Sequence, residues 1–219
     1  MEKNKIRYAK NKFHHFFKKG FYTQKYLDWE RDYKWNAHVS WEEVLNKKAF
    51  TKLLASGNYT EIAQQAVSIE SRTNLLFSFE KMALRDAVRT EEGAELFAKD
   101  LFNYVYGKGS LQKRFEEHVL VISALPRKQT RVLTWPLVTV FGFIANPDEH
   151  IFLKPRVTQA AARVYGFDFK YTSKPNWETY KSLLDFAAKL KKDIREMKPR
   201  DMIDLQSFIW VLGSEEYEI

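Results

Sequence analysis

The clearest helical segment of the sequence is residues 174–199, KPNWETYKSLLDFAAKLKKDIREMKP. Its apolar residues recur at intervals of three and four, and lysines occupy much of the remaining surface. The apolar stripe comprises Leu183, Ala187, Leu190, Ile194 and Met197. This spacing places the stripe on one face of a helix, so we expect that face to be buried.

Helical patterns extend outward from this segment in both directions. Residues 199–214, PRDMIDLQSFIWVLGS, predict a last helix that begins at Pro199 or Asp201 and ends near Gly213. Residues 73–88, TNLLFSFEKMALRDAV, predict a helix with Glu80 and Lys81 pointing outward. The buried face expected for that helix comprises Leu75, Leu76, Phe79, Met82, Ala83 and Val88.

Two further stretches bear on the local structure, and the first of them could form either a helix or a strand. Residues 132–147, VLTWPLVTVFGFIANP, have the Val, Thr and Phe content of a strand, whereas their length and Pro136 allow a buried helix. Ser40 followed by Glu43 resembles a capping box, which predicts that a helix starts there. Together these segments predict a mostly α fold, with a single helical domain over residues 36–219.

The charge distribution predicts a basic N-terminal arm over residues 1–35. The chain has 219 residues, 45% of them hydrophobic, and a formal net charge of +8, which favours a polyanionic partner. Residues 1–25 hold eight lysines or arginines against one acid, Glu2. The aromatic residues of the arm either dock it on the body, with the lysines solvated, or stack on nucleic-acid bases.

Several functional classes lack support in the sequence. The absence of cysteine excludes disulfides, thiolate zinc sites and cysteine nucleophiles, and we expect a reducing, cytoplasmic location. No stretch predicts a membrane helix, a signal peptide, a nucleotide-binding loop or a serine-hydrolase motif. The five histidines form no metal pattern, so we expect surface or capping roles for each of them, and neither a metal nor a cofactor.

The order of segments in the C-terminal half resembles that of helix-hairpin-helix DNA glycosylases. LPRKQTR at 125–131 occupies the place of the hairpin, the apolar segment at 134–147 that of the following helix, and FLKPRVTQAAARVYGF at 152–167 that of the segment and helix that follow. This resemblance implies a DNA-binding helical fold. FEKMALRDAV, TWPLVTVFGFIANP and PRDMIDLQSFIWVLGS are also similar to segments of a group of uncharacterised bacterial proteins, which implies no activity.

The chain departs from the glycosylase pattern where the reaction takes place. Those enzymes use an aspartate to stabilise the sugar cation, and the matching position here is Lys154. Arg127, Lys128 and Gln129 replace the glycines of the hairpin. The resemblance therefore implies the fold and the partner, without the usual catalytic aspartate.

Basic residues in this half suggest a nucleic-acid interface. Lys154 and Arg156 stand at a helix entrance, where they would join free backbone N–H groups in binding a phosphate. Arg127, Lys128 and Arg131 on the preceding loop would extend the patch, and Trp135 would stack on a displaced base. In the alternative, the cations are solvated surface residues and Trp135 belongs to the core.

Asp201 and Asp204 are the candidate catalytic acids. They lie three residues apart on one helix face, where two carboxylates can share a proton or bind a metal. In the structural alternative, Asp201 caps the helix and Asp204 pairs with Arg200 or with a buried arginine such as Arg163.

The leading hypothesis is a nucleic-acid-binding helical protein, with DNA as the favoured partner. The first rival is a base-excision or nuclease-like enzyme that uses Asp204 and Asp201. The second is a protein-interaction module whose basic arm binds an acidic partner. The sequence leaves the oligomeric state open.

Overall fold

A computed structural model describes residues 2–126 and 132–218 of the chain. Within these ranges the regular structure is helical and no β-strand occurs, so the predicted mostly α fold is confirmed. The α-helices are α1 (Glu2–Phe16), α2 (Gln24–Tyr26), α3 (Asp32–Val44), α4 (Lys47–Ala55), α5 (Tyr59–Ser71), α6 (Ser78–Ala87), α7 (Glu91–Tyr106), α8 (Leu111–Ala124), α9 (Trp135–Ala145), α10 (Pro155–Tyr165), α11 (Trp177–Asp193) and α12 (Met202–Gly213).

Helix α9 lies in the core and settles the ambiguity of that segment. All eleven of its residues are buried. Thr134 caps the helix by accepting a hydrogen bond from the backbone N–H of Leu137, and Pro136 occupies the first turn, where its missing N–H costs nothing. A helix buried on every side has no polar face, so periodicity could not distinguish it from a strand.

Helices α10 and α12 form the closest pair around the site described below. A Cβ atom on Gly213 would lie 2.1 Å from the carbonyl oxygen of Val157, so only glycine permits this approach. Helix α10 begins with Pro155 and ends at Gly166, which adopts a φ of 80°. Helix α12 begins after the cap residue Asp201 and ends at Gly213, as the sequence predicts.

The aromatic residues near the N-terminus pack into the same core as the rest of the chain. Phe13, Phe17 and Phe21 are each no more than 1% exposed, and the ring of Phe13 stacks on that of Phe208 in α12 at 5.2 Å. This is the docked alternative for residues 1–35. The sequence places a helix start at Ser40, which is wrong: Thr23 caps α2, and the helical chain continues through a π-helical segment, Leu27–Arg31, into α3.

The burial predicted for the stripe in residues 174–199 is confirmed, but its helix is shorter than predicted, and the predicted face of α6 is wrong in part. All five stripe residues are buried, whereas α11 ends at Asp193 and Met197 lies in a separate 3-10 helix, Arg195–Met197. In α6, however, Phe79 and Met82 are 52% and 61% exposed, and Glu80 is buried. Glu80 is buried because it accepts hydrogen bonds from the N–H of Phe77 at 3.0 Å and the hydroxyl of Thr134 at 2.8 Å.

Two histidines also depart from the prediction of surface or capping roles. His118 and His150 are fully buried, and Asp100 bonds Nδ1 of His118 at 2.6 Å. The ring of His118 stacks on Tyr104 at 4.0 Å. The spacing of residues along one helix could not predict these partners, because each partner lies on a different helix.

None of the helices in the described ranges combines the length and the apolar character needed to cross a membrane.

Candidate functional site

Two adjoining cavities open between α6, α10 and α12. The first, here called the Gln206 cavity, has a volume of about 370 Å³, and the second, the Arg156 cavity, about 800 Å³. Both volumes are in the range that holds small organic groups. The cavities share four lining residues, namely Phe77, Lys154, Trp210 and Glu216. We call the two cavities together the cleft.

Lys154 lies where the two cavities meet. It occupies the N-cap position of α10, without capping it through its side chain. Its Nζ atom donates a hydrogen bond to the carbonyl oxygen of Leu75 at 2.9 Å and lies 3.6 Å from the centre of the Phe77 ring. Burial lowers the pKa of Lys154, and the negative charges of Glu80, Glu216 and Glu70 oppose this shift. The amine is therefore fixed in position beside the cleft.

Arg156 is the exposed cation of the same helix start. It follows Pro155 in the first turn of α10 and lines the Arg156 cavity. The first backbone N–H groups of a helix have no partner within the helix, and the helix dipole favours an anion there. Arg156 and the start of α10 therefore form one place on the cleft suited to a phosphate.

Aromatic rings on the rim of the cleft are unusually exposed. Trp29, Phe77 and Phe79 are 56%, 54% and 52% exposed, and the last two rings stack on each other at 5.7 Å. The Nζ atom of Lys25 lies 4.3 Å from the centre of the Trp29 ring. The rim thus carries a cation as well as flat apolar surfaces.

The deep wall of the Gln206 cavity is polar. Gln206 is only 5% exposed, and its Oε1 atom has no hydrogen-bond partner among the described residues. Trp210 lies one turn further along α12 and donates a hydrogen bond from Nε1 to Glu216 at 3.3 Å. Glu30 is also on this wall, and its two carboxylate oxygens accept from Tyr217 at 2.6 Å and from Lys34 at 3.2 Å.

The candidate acids Asp201 and Asp204 lie in a different, fully bonded cluster. Asp201 caps α12 through the N–H groups of Ile203 and Asp204, and it binds the guanidinium of Arg31 at 2.6 and 2.9 Å. Asp204 is fully buried and accepts five hydrogen bonds. Its donors are the hydroxyl of Tyr26, the side chain of Arg31, and the backbone and side chain of Arg200.

This geometry is the structural alternative for the two acids. Asp201 is the cap and Asp204 pairs with Arg200, while the buried arginine is Arg31 from the π-helical segment rather than Arg163, which is exposed. A carboxylate whose acceptor positions are filled by buried donors has none free for a substrate. Asp204 is therefore enclosed by its donors, whereas Asp201 and Arg200 also line a separate cavity of about 530 Å³ beside Trp35 and His38.

The remaining predicted site residues divide into two groups. Trp135 is 2% exposed and donates a hydrogen bond from Nε1 to the carbonyl oxygen of Thr172 at 2.8 Å, which is the core alternative. Arg127, Lys128 and Arg131 lie outside the described residues. The chain emerges from that segment at Val132, and Leu133 lines the Arg156 cavity.

Sequence reasoning missed Lys25, Trp29 and Phe77 as parts of the site. Nothing in their local pattern separates them from residues of an amphipathic helix, because the cleft forms only when distant segments pack together. Within the described ranges, no three histidine or acidic side chains come together as metal ligands.

Comparison of the chain with protein-family models, curated proteins and solved structures found no match. The resemblance to helix-hairpin-helix glycosylases therefore stays a prediction.

Proposed function

We propose that the protein binds nucleic acid, with an unpaired segment of the strand lying in the cleft. The observation that carries this proposal is the row of exposed aromatic rings beside cations: Trp29 with Lys25, and Phe77 and Phe79 with Lys154 and Arg156. Proteins that bind single strands combine these two elements, because rings stack on bases while cations follow the phosphates.

The exposure of the rings supports a stacking role. Complete burial of a Phe side chain contributes about 1.5–3 kcal/mol, so the half-exposed rings of Phe77 and Phe79 would gain part of this free energy from a partner that covers them. Each stacked base returns about 1–3 kcal/mol. Base faces are flat and apolar, which fits rings that line an open cleft.

The charges around the cleft favour a strand whose phosphates lie near its cations. Lys25 lies over Trp29, and Arg156 is exposed at the start of α10. Glu215 and Glu216 also line the Arg156 cavity and repel phosphate. The strand would therefore place its phosphates near the cations and its bases against the rings.

The test is a salt titration of binding to labelled single-stranded and double-stranded DNA and RNA. We expect the unpaired strands to bind more tightly. Arg156→Gln should reduce the slope of log K against log salt concentration by about one unit, because one phosphate contact is lost. Arg163→Gln is the matched control, since Arg163 is exposed on the same helix and lines neither cavity.

A second pair of variants separates stacking from charge. Trp29→Ala should weaken binding by about 1–3 kcal/mol at every salt concentration. Trp35→Ala is its control, because Trp35 is 39% exposed and lines no part of the cleft. Equal losses in each variant and its control would remove the cleft as the binding surface. Failure to bind any nucleic acid would leave the protein-interaction hypothesis.

A further inference from the structure

The Gln206 cavity contains a buried polar group without a partner. Gln206 is 95% shielded from solvent, given its 5% exposure, and its Oε1 atom makes no hydrogen bond to any described atom. Buried polar atoms are nearly always hydrogen-bonded, because an unpaired one loses its contact with water and gains nothing. The oxygen is itself shielded from solvent, so a ligand that donates a hydrogen bond to it would satisfy it once the carboxamide turns toward the cavity.

The walls of the cavity favour a flat ligand. Trp29, Phe77 and Trp210 contribute aromatic rings, and Gln206 and Trp210 lie four residues apart on one face of α12. An aromatic ligand held between such rings would present its edge to the amide. The side-chain carboxamide can recognise the hydrogen-bonding edge of such a ligand, because it offers one acceptor and two donors in one plane.

The charges of the cavity favour N–H donors over phosphate. Gln206, Glu30, Glu216 and Lys154 line the cavity, and the Lys154 amine donates to the carbonyl oxygen of Leu75. Lys34 already offsets the charge of Glu30 through their contact at 3.2 Å. A carboxylate has about four acceptor positions, so Glu30 can accept a further bond beyond those from Tyr217 and Lys34. Two acids and two amines nearly balance in charge, so the cavity offers acceptor oxygens to an amino group without an excess of positive charge to hold a phosphate.

We propose that the Gln206 cavity receives an unpaired nucleobase that carries an amino group, and that Gln206 determines this preference. The proposal rests on the proposed function, since the base arrives as part of the bound strand. The phosphates of that strand stay on the rim with Arg156. The base enters between the rings, and its amino group donates to Gln206.

The experiment compares bases that differ by one amino group. Labelled oligothymidine with a single guanine, or with a single hypoxanthine in its place, is titrated with the full-length protein, and the pair of adenine and purine is measured in the same way. We expect the amino-bearing base to bind about three- to tenfold more tightly in both pairs, the effect of one hydrogen bond.

Gln206→Met tests the residue itself, because methionine keeps the volume and removes the amide. The preference should disappear, and the midpoint of thermal unfolding should stay level or rise, since a buried unpaired atom is gone. Gln65→Met is the matched control: Oε1 of Gln65 is also buried without a partner, and Gln65 lines neither cavity. It should keep the wild-type preference.

The outcomes separate the two proposals. Equal affinity for both members of each pair overturns the base preference, and so does a preference that survives in Gln206→Met, while salt-dependent binding in either case keeps the proposed function. Absence of binding to every oligonucleotide overturns both. The wild-type comparison needs no variant, so equal affinities would overturn the proposal even if the substituted protein did not fold.

Discussion

Asp204 and Gln206 lie two residues apart on α12, and both are buried, yet their surroundings are opposite. Asp204 accepts five hydrogen bonds from three residues of the same cluster. Gln206 has an Oε1 atom without a partner and faces a cavity. A half-turn of helix thus separates a completed polar cluster from an incomplete one.

The difference teaches where to look for function in a chain without recognisable motifs. In a completed cluster every group serves its neighbours, so its charges stabilise the fold. An unpaired group on a cavity wall has capacity left for a ligand. The sequence suggested acidic residues as the functional groups because carboxylates can act as acids and bases. The structure instead suggests the amide of Gln206.

The largest effect is expected for Asp204→Asn. The substitution leaves Arg200 without its buried anion and Arg31 with Asp201 alone, so the free energy of unfolding should fall by about 3–5 kcal/mol. Denaturant unfolding followed by circular dichroism measures it. Asp185→Asn is the control, because Asp185 is 56% exposed and its pair with Lys181 should contribute less than about 1 kcal/mol.

The same measurement also tests the hypothesis that Asp204 is a catalytic acid. A catalytic Asp204 would tolerate asparagine in the fold and lose only turnover, so an unchanged unfolding free energy would contradict the completed cluster. A large loss of stability in Asp204→Asn would instead show that Asp204 stabilises the fold.

A second expected effect concerns His150, which is buried like Asp204 and has an unpaired atom like Gln206. Burial, together with the charges of Arg114 and His118, lowers its pKa to about 3 from an ordinary value of 6.5. Between these values the unfolded chain binds a proton that the folded chain does not. Stability should therefore fall as the pH drops from 6.5, by up to about 1.4 kcal/mol per pH unit.

Thermal unfolding between pH 7 and pH 4.5 would show this slope. His150→Gln should flatten it, because glutamine does not titrate. His15→Gln is the control, since His15 is exposed on α1. An equally steep slope in His150→Gln would mean that other groups carry the pH dependence.

The smallest effect is expected for Glu216→Gln. Glu216 lines both cavities and is exposed, so removing its charge should raise the affinity for nucleic acid by no more than about fivefold, and less at high salt. Glu43→Gln, an exposed acid of α3 outside the cleft, should change binding less. A loss of affinity in Glu216→Gln would place the acid among the groups that contact the strand favourably.

Local signals predicted much of the C-terminal half correctly. The stripe of α11 and the cap at Asp201 depend on residues within one or two turns, and such interactions are encoded in spacing alone. The face of α6 could not be predicted in this way. Phe79 has the spacing of a core residue, but Thr134 bonds Glu80 and turns the acid inward, which leaves the phenylalanine on the rim.

The sequence by itself determined that the chain is helical, basic, free of cysteine and capped at Asp201, because composition, period and caps act over a few neighbouring residues. Only the tertiary structure decided which polar groups are satisfied. Arg31 bonds Asp204 across 173 positions of the chain, while the Oε1 atom of Gln206, two residues on, has no hydrogen-bond partner in the described part of the chain. Hydrogen-bond partners from distant helices carry no local signature, and for that reason the cleft became visible only once the helices were packed.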